Sequence, residues 1–252
     1  MIANIVAGLI TAIVIAAASF LYGHRGYLPL LRVTLLQSDR VRVSMSALIR
    51  VKVDDCYVLF HHPYRPSVYG PPGGVFKFTS AARQDLDRLS FVEQRATGRQ
   101  QEMKNDLRGF VPGQRAIGFM RWFSSGKGRE SGVDCLRREL VEELHEANHA
   151  ELESMVADLN FALVRTVFEP PAERTSMTAR QFEVYDIVQD TPQAAELIDR
   201  LVAIGHDPSD NQIIAVSGTD IDAGRHEQYL VAPQTAFLIG DRRKRADLPA
   251  LQ

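Results

Sequence analysis

The segment 130–146 limits the fold of this chain more than any other, because two helical patterns coincide in it. Leu136, Leu140 and Leu144 recur every four residues, which places them along one side of an α-helix. An arc of about 100° beside the leucines carries four carboxylates, those of Glu139, Glu142, Glu143 and Glu146. The sequence therefore predicts a helix that buries one side in a core and presents acidic groups from the neighbouring side.

The spacing alone leaves two interpretations of these carboxylates open. A row of glutamates is usually a solvated helix surface. Like charges three and four residues apart, however, repel by a few tenths of a kcal/mol per pair, and the C-terminal half of a helix disfavours negative charge. Arg138, four residues before Glu142, offsets only part of this cost. Bound Mg²⁺ or Mn²⁺ would offset the rest, because hard cations prefer carboxylate oxygens.

The remaining patterns predict an α/β or α+β domain. Ser131 and Asp134 resemble a capping box, which predicts a helix from Ser131 to about His145. Alternation of apolar residues predicts strands at 32–36, 42–53, 56–60, 116–123, 161–168, 182–188 and 213–216. Further helices are predicted at 81–91, with Thr79 or Ser80 as the N-cap, and at 192–204.

Residues 2–22 form an uncharged apolar run of 21 residues, long enough to cross a bilayer core of about 30 Å as a helix. A cleaved signal peptide is the alternative, since 16–18 is a row of alanines. No Lys or Arg precedes the run, whereas His24, Arg25 and Arg32 follow it. This favours a retained single-pass anchor with its N-terminus outside and its body in the cytoplasm. A linker is predicted at 23–31.

The composition adds few constraints on partners. The chain is 45% hydrophobic with a net charge of −2, so no overall charge favours a nucleic-acid polymer. Cys56 and Cys135 form no Cys-x-x-Cys pair, which is typical of a protein in a reducing compartment. Alanines four residues apart within 2–22 favour self-association of the anchor. A basic tail is predicted at 241–252, where 242–245 is wholly basic and could attract anionic lipid.

The glutamate helix resembles the Nudix box. Glu130 is followed after seven residues by Arg138, Glu139, Leu140, Val141, Glu142 and Glu143, and an upstream Pro72-Gly73-Gly74 turn resembles the turn that leads into the box. The resemblance implies a Nudix fold over 32–240, an α/β/α sandwich with a mixed sheet. It implies that Glu139, Glu142 and Glu143 coordinate Mg²⁺ or Mn²⁺, that Glu130 acts as base or ligand, and that Arg138 orients the glutamates. The metal would bridge diphosphate oxygens and activate water, with Glu130, Arg138 and Glu143 as the catalytic set.

The chain departs from the Nudix pattern beside this helix. Ser124 stands where spacing places the box glycine, and Gly74 lies some fifty residues upstream, which predicts an insertion at 75–124. His145 and Glu146 replace the glycine and the aliphatic residue after the last glutamates. These departures put efficient ordinary hydrolysis in doubt and leave the metal ligands in place.

The N-terminal run and the turn 69–74 together resemble the SMODS-associated Nudix proteins. These are membrane-anchored effectors of CBASS, bacterial antiviral systems in which a CD-NTase makes cyclic nucleotides. The resemblance implies a chain that senses a cyclic di- or oligonucleotide and acts on the inner membrane to cause abortive infection. A membrane-tethered Mg²⁺-dependent hydrolase of a nucleoside diphosphate linked to a group X is the alternative. A catalytically inactive interaction module fits less well, because the metal ligands are intact.

Polar residues before and within the turn are candidates for ligand contact. They are His62, Arg65, Tyr69, Gly73 and Gly74. Imidazole, guanidinium and phenol groups bind phosphates or stack on bases, but ordinary loop residues fit the pattern equally well. Glu169, Glu173 and Glu183 are candidates for a later acid near the metal, and each alone is more typical of a surface residue.

Overall fold

The computed structural model describes residues 30, 40–94, 103–171, 177–245 and 248. The predicted anchor at 2–22, nearly all of the linker at 23–31, the predicted strand at 32–36 and Glu173 lie outside the described residues. Among the helices that are described, none has both the length and the apolar character needed to cross a membrane.

Twelve strands are described. They are β1 (Val41–Arg50), β2 (Lys52–Val53), β3 (Cys56–His61), β4 (Val68–Gly70), β5 (Gly73–Val75), β6 (Val92–Glu93), β7 (Arg108–Val111), β8 (Asn160–Glu169), β9 (Thr178–Val188), β10 (Ile213–Ser217), β11 (Arg225–His226) and β12 (Tyr229–Val231). The described α-helices are α1 (Arg83–Arg88), α2 (Ala116–Ser124), α3 (Gly132–Glu146), α4 (Pro192–Gly205) and α5 (Gly218–Ala223). Short 3₁₀ helices occupy Ser80–Ala82, Gly113–Arg115, Ala150–Met155 and Pro233–Leu238.

The strands form two mixed sheets of six strands each. In the first, the order is β6-β7-β1-β9-β8, with β5 also paired to β1, and only β1 and β9 run parallel. In the second, the order is β10-β3-β4-β12-β11, with β2 paired to β3, and only β12 and β4 run parallel. The resemblance to Nudix proteins implied a mixed sheet, and the described residues form two of them.

Alternating side chains of both sheets enter two separate hydrophobic clusters. In β3, Val58 and Phe60 belong to the larger cluster, whereas Tyr57 and Leu59 belong to the smaller one. Helices α1 to α4 bury apolar side chains in the larger cluster, and α5 and Pro233–Leu238 bury theirs in the smaller. Helices therefore cover both sides of a layer of strands, which is the α/β/α arrangement.

Residues 116–123 form a helix, so the prediction of a strand there is wrong. The buried residues of α2 are Ala116, Phe119, Met120 and Phe123, spaced by three, one and three positions. This is the spacing of one side of a helix, and it outweighs the strand preference of the aromatic residues. The helix predicted at 81–91 is shorter, since α1 covers Arg83–Arg88, and Thr79 forms no side-chain cap.

The insertion predicted at 75–124 contributes to the first sheet. Within it, β7 pairs with β1 along four residues, and β6 pairs with β7. Lys77 and Asp106 form an isolated β-bridge, which joins the start of the insertion to the segment just before β7. The insertion therefore adds β7 and β6 to the first sheet, next to β1.

The C-terminal basic run folds back onto the domain as far as it is described. Arg243 Nε lies 2.5 Å from Glu169 Oε1, and Lys244 forms an ion pair with Asp222. Leu248 packs against a small cluster of Val68, Leu230 and Ala232. Residues 243, 244 and 248 of the predicted basic tail therefore contact the folded domain.

Candidate functional site

Helix α3 begins and is oriented as its sequence predicts. Ser131 Oγ accepts a hydrogen bond from the Asp134 backbone N–H at 3.1 Å and donates one to the Asp134 carboxylate at 2.7 Å. Leu136, Leu140 and Leu144 are fully buried. Because these leucines fix the rotation of the helix, the adjacent side presents its glutamates to a cleft.

The Pro-Gly-Gly turn lies directly against this helix, although 57 residues separate Gly74 from Gly132. Strand β5 places Gly73 opposite Leu48 and Gly74 opposite Ala47 of β1. Gly73 has φ +131°, and a Cβ there would lie 2.2 Å from the Ala47 carbonyl oxygen. A Cβ on Gly74 would lie 2.0–2.2 Å from the carboxyl group of Glu139. Only glycine fits at position 73, and any side chain at position 74 would displace the Glu139 carboxylate. These two residues therefore let the backbone approach the glutamates.

Arg138 joins the predicted catalytic and metal-binding carboxylates into one network. Its Nη2 donates to Glu130 Oε1 at 2.7 Å, its Nη1 donates to Glu139 Oε1 at 2.5 Å, and Nη1 lies 3.7 Å from Glu142 Oε2. Glu130 Oε1 also accepts from the Lys77 backbone N–H at 2.6 Å. Glu143 is held separately, since its Oε2 accepts from the Gly73 N–H at 3.1 Å.

Burial and mutual repulsion raise the pKa of the two innermost carboxyls. Burial, followed by the negative charge of Glu139, raises the pKa of Glu143 well above its usual range, and the Gly73 N–H opposes this shift. Burial also raises the pKa of Glu139, against the ion pair with Arg138. Burial disfavours the charge of Arg138, but its hydrogen bonds with Glu130 and Glu139 raise the pKa of its guanidinium. The site therefore concentrates negative charge that one guanidinium offsets in part.

A cleft of about 310 Å³ opens over these groups. Its α3 side is formed by Arg138, Glu139, Glu142, Glu143 and Glu146, and its floor includes Ser46, Leu48 and Phe182 of the first sheet. Lys77, Asp106 and Arg108 of the insertion also line it. No pattern in the sequence indicates these residues. Asp106 and Arg108 reach the glutamates through the pairing of β7 with β1, and Lys77 follows β5, which pairs with β1 on its own.

The structure places three of the five predicted ligand residues in the cleft. His62, Gly73 and Gly74 line it, whereas Arg65 is exposed outside it. Tyr69 is 1% exposed, and its hydroxyl donates to the Asn211 carbonyl at 2.6 Å. Burial, with smaller contributions from Tyr229 and Asp210, raises the pKa of Tyr69 to about 12. Tyr69 is therefore a core residue that does not line the cleft.

The later acids lie away from the glutamates of α3. Glu183 is buried, accepts from Arg129 at 3.3 Å and from the Tyr185 hydroxyl at 2.6 Å, and does not line the cleft. Glu169 pairs with Arg243. Neither is brought to the cleft as a further metal ligand.

The carboxylates of the cleft suit a hard divalent cation in their chemistry. Glu139, Glu142 and Glu143 line the cleft and carry carboxylate oxygens, which such cations prefer as ligands. The pKa of Glu139 and of Glu143 is raised. Within the described residues, no group of three or more His, Cys, Asp or Glu side chains is already arranged around a metal position. Arg138 and the Gly73 N–H hold two of the three carboxylates instead. Nudix domains generally use divalent metal ions.

Comparison with known proteins identifies a family that includes this chain. The model of the SMODS-associated NUDIX domain matches residues 40–239, which include β1, the glycine turn, α3 and both sheets. Searches of curated proteins and of solved structures found no significant match. Because the matched region covers most of the chain, this protein belongs to the SMODS-associated Nudix domain family.

Proposed function

We propose that this chain is a membrane-anchored Nudix effector of a CBASS antiviral system. Its Nudix domain binds a cyclic di- or oligonucleotide made by a CD-NTase, and the N-terminal segment transmits the signal to the inner membrane, causing abortive infection. The observation that carries the proposal is the cleft in a SMODS-associated Nudix domain, where Gly73 and Gly74 bring the backbone against Glu139 and Glu143.

The composition of the cleft supports a phosphate-containing ligand. Carboxylates line one end, and cationic side chains of Lys77, Arg108 and Arg138 surround it. Glu139, Glu142 and Glu143 would hold Mg²⁺ or Mn²⁺, which neutralises phosphate oxygens and acidifies a bound water. Arg138 then keeps Glu130 and Glu139 in place through its hydrogen bonds, as it does in this structure. His62 also lines the cleft, and its imidazole can contact a phosphate or a base.

The membrane part of the proposal rests on the apolar run at 2–22. The distribution of charge around it supports a single-pass anchor with its N-terminus outside and the Nudix domain in the cytoplasm. Self-association of these segments would couple ligand binding to the bilayer, provided that the ligand has a higher affinity for the associated state.

Reconstitution tests this function. The full chain is incorporated into vesicles loaded with a fluorescent dye, and a panel of cyclic di- and trinucleotides is added. We expect one member to release the dye, and a chain lacking 2–22 to release none. Absence of release with every member of the panel would refute action on the membrane.

A second function is favoured by an intact set of Nudix residues. Arg138, Glu139, Glu142 and Glu143 line one cleft, and Glu130 is hydrogen-bonded to Arg138. This second function is that of a tethered Mg²⁺-dependent hydrolase of a nucleoside diphosphate linked to X. Chromatography of ADP-ribose incubated with the chain and Mg²⁺ separates it from the effector. Rapid product formation that Glu142→Gln abolishes, with no response to cyclic nucleotides, would support the hydrolase.

A further inference from the structure

A group of arginines lies beside the cleft, on the side of the first sheet that forms the cleft floor. In β1, Val43 and Met45 face the larger hydrophobic cluster, so Arg42, Ser44 and Ser46 face the other side of the sheet. Ser46 lines the cleft. Ser44 is two residues from it, about 7 Å further along the strand.

Ser44 stands between two arginines of neighbouring strands. It pairs with Arg108 of β7 on one side and with Arg180 of β9 on the other. Directly paired residues of adjacent strands point to the same side of a sheet, so both guanidinium groups share the side of Arg42. Arg42, Arg108 and Arg180 therefore form a continuous basic surface beside the cleft, and Arg108 belongs to both.

Holding three guanidinium groups together costs free energy in the absence of an anion. Burial, then the charges of Arg108 and Arg180, lower the pKa of Arg42 to about 10. Since Arg42 stays charged at neutral pH, the repulsion persists in the folded chain. Burial also lowers the pKa of Arg180, opposed by Glu169.

Two carboxylates of the described residues, those of Glu169 and Asp106, interact with these arginines. Arg180 lies 3.8 Å from Glu169, and Glu169 makes its closer ion pair, at 2.5 Å, with Arg243. Asp106 faces Arg108 from the same strand region. The Arg42 Nε donates to the neutral amide oxygen of Gln94 at 2.7 Å. Among the described ion pairs, Glu169 is thus shared between Arg180 and Arg243.

We propose that Arg42, Arg108 and Arg180 bind a phosphate group of a soluble ligand whose other phosphate lies in the glutamate cleft. Arginine binds phosphate oxygens through paired N–H donors, and the recessed position on the sheet suits a small ligand better than a flat bilayer. The inference rests on the proposed function only in naming a nucleotide as the source of the phosphate. A ligand with two phosphates about 7 Å apart would span both sites.

The test is calorimetric binding of inorganic pyrophosphate to the full chain in EDTA, at about 50 and about 200 mM salt. We expect binding that weakens with salt, and a loss of about tenfold in affinity for Arg42→Gln and for Arg180→Gln. Arg200→Gln is the matched control, because Arg200 is an exposed arginine of α4 paired only locally with Glu196 among the ion pairs described. It should bind as the unmodified chain does.

Thermal unfolding separates a binding role from a structural one. Because Arg42 is repelled by its neighbours, Arg42→Gln should raise the Tm of the ligand-free chain by about 2 °C while it weakens pyrophosphate binding. Equal binding by all variants, no binding by the unmodified chain, or a fall in Tm that parallels the loss of affinity would overturn the proposal. Arginine-dependent binding to phosphatidylglycerol vesicles without pyrophosphate binding would also overturn it. If the chain binds pyrophosphate but responds to no cyclic nucleotide, the proposed effector function is refuted and the arginine phosphate site is still supported.

Discussion

A Cβ atom on Gly74 would lie 2.0 Å from the carboxyl carbon of Glu139, so the glycine turn and the glutamate helix are in direct contact. The contact couples the backbone of β5 to a carboxylate that Arg138 also holds. Residues that are 65 positions apart in sequence thereby form one wall of the cleft, and changes at either should affect the other.

Alanine at the two turn glycines should have different consequences. Gly74→Ala needs only the Glu139 carboxylate to move, so we expect a cost of about 1 kcal/mol in stability and a clear loss of ligand affinity. Gly73→Ala collides with the Ala47 carbonyl at φ +131° and should cost about 3 kcal/mol. Denaturant unfolding measures both. Gly240→Ala is the control, since nothing lies within 4 Å of a Cβ there. Equal effects at all three positions would contradict the account.

Arg138 should contribute more to stability than an exposed arginine does. Arg138→Met leaves Glu130 and Glu139 without their shared cation, and we expect a loss of about 2–3 kcal/mol. Arg138→Lys should recover only part of it, because an ammonium group cannot donate to both carboxylates in the same geometry. Arg200→Met, at an exposed ion pair on α4, should change the free energy of unfolding by less than about 0.5 kcal/mol. Similar losses at positions 138 and 200 would show that the network is not formed.

Glu143→Gln should stabilise the chain and weaken its response to Mg²⁺. The substitution removes a charge that burial and Glu139 disfavour, and the amide oxygen still accepts from the Gly73 N–H. We expect an increase of about 1 kcal/mol in stability near neutral pH. The rise in Tm that Mg²⁺ gives to the unmodified chain should be lost. Glu196→Gln on the exposed side of α4 is the control. A destabilised variant that still responds to Mg²⁺ would rule out this role for Glu143.

The raised pKa of Asp106 should make the free energy of unfolding depend on pH. Burial, opposed by Arg108 and Lys77, raises its pKa from 3.8 to about 6. The folded chain therefore binds this proton more tightly than the unfolded chain, and its contribution to stability falls as pH rises from about 4 to about 6. Asp106→Asn should match the unmodified chain below pH of about 4 and be more stable by about 2–3 kcal/mol near pH 7.

Urea unfolding across this pH range measures the difference. Asp199→Asn, an exposed position on α4, provides the matched control. The relative stability of Asp106→Asn should rise with pH, while that of Asp199→Asn stays constant. A constant difference for Asp106→Asn would mean that its carboxyl is not buried as described.

Local patterns predicted the parts of the site that lie on single elements. The spacing of Leu136, Leu140 and Leu144 and the Ser131 cap predicted α3, and the structure confirms both. The strands predicted at 161–168, 182–188 and 213–216 and the helix at 192–204 are confirmed with small changes at their ends. These features depend on neighbours within a few residues, which a sequence displays directly.

Features that depend on pairing between distant strands could not be predicted in the same way. Arg108 and Asp106 reach the cleft only because β7 pairs with β1, and no periodicity within the insertion signals that pairing. Tyr69 was predicted at the site because it precedes the glycine turn, but it packs between His61 and Tyr229 in the core. The strand prediction at 116–123 was wrong because the aromatic residues there, although common in strands, lie at the spacing of one side of a helix.

The most direct test of the central claim is calorimetric binding of cyclic di- and trinucleotides, with ADP-ribose alongside, to the full chain in Mg²⁺, followed by chromatography of the products. We predict that one cyclic nucleotide binds tightly and is recovered unchanged, and that Glu142→Gln or Gly74→Ala weakens this binding. Rapid hydrolysis of ADP-ribose with no binding of any cyclic nucleotide would contradict the effector account and leave a tethered Nudix hydrolase.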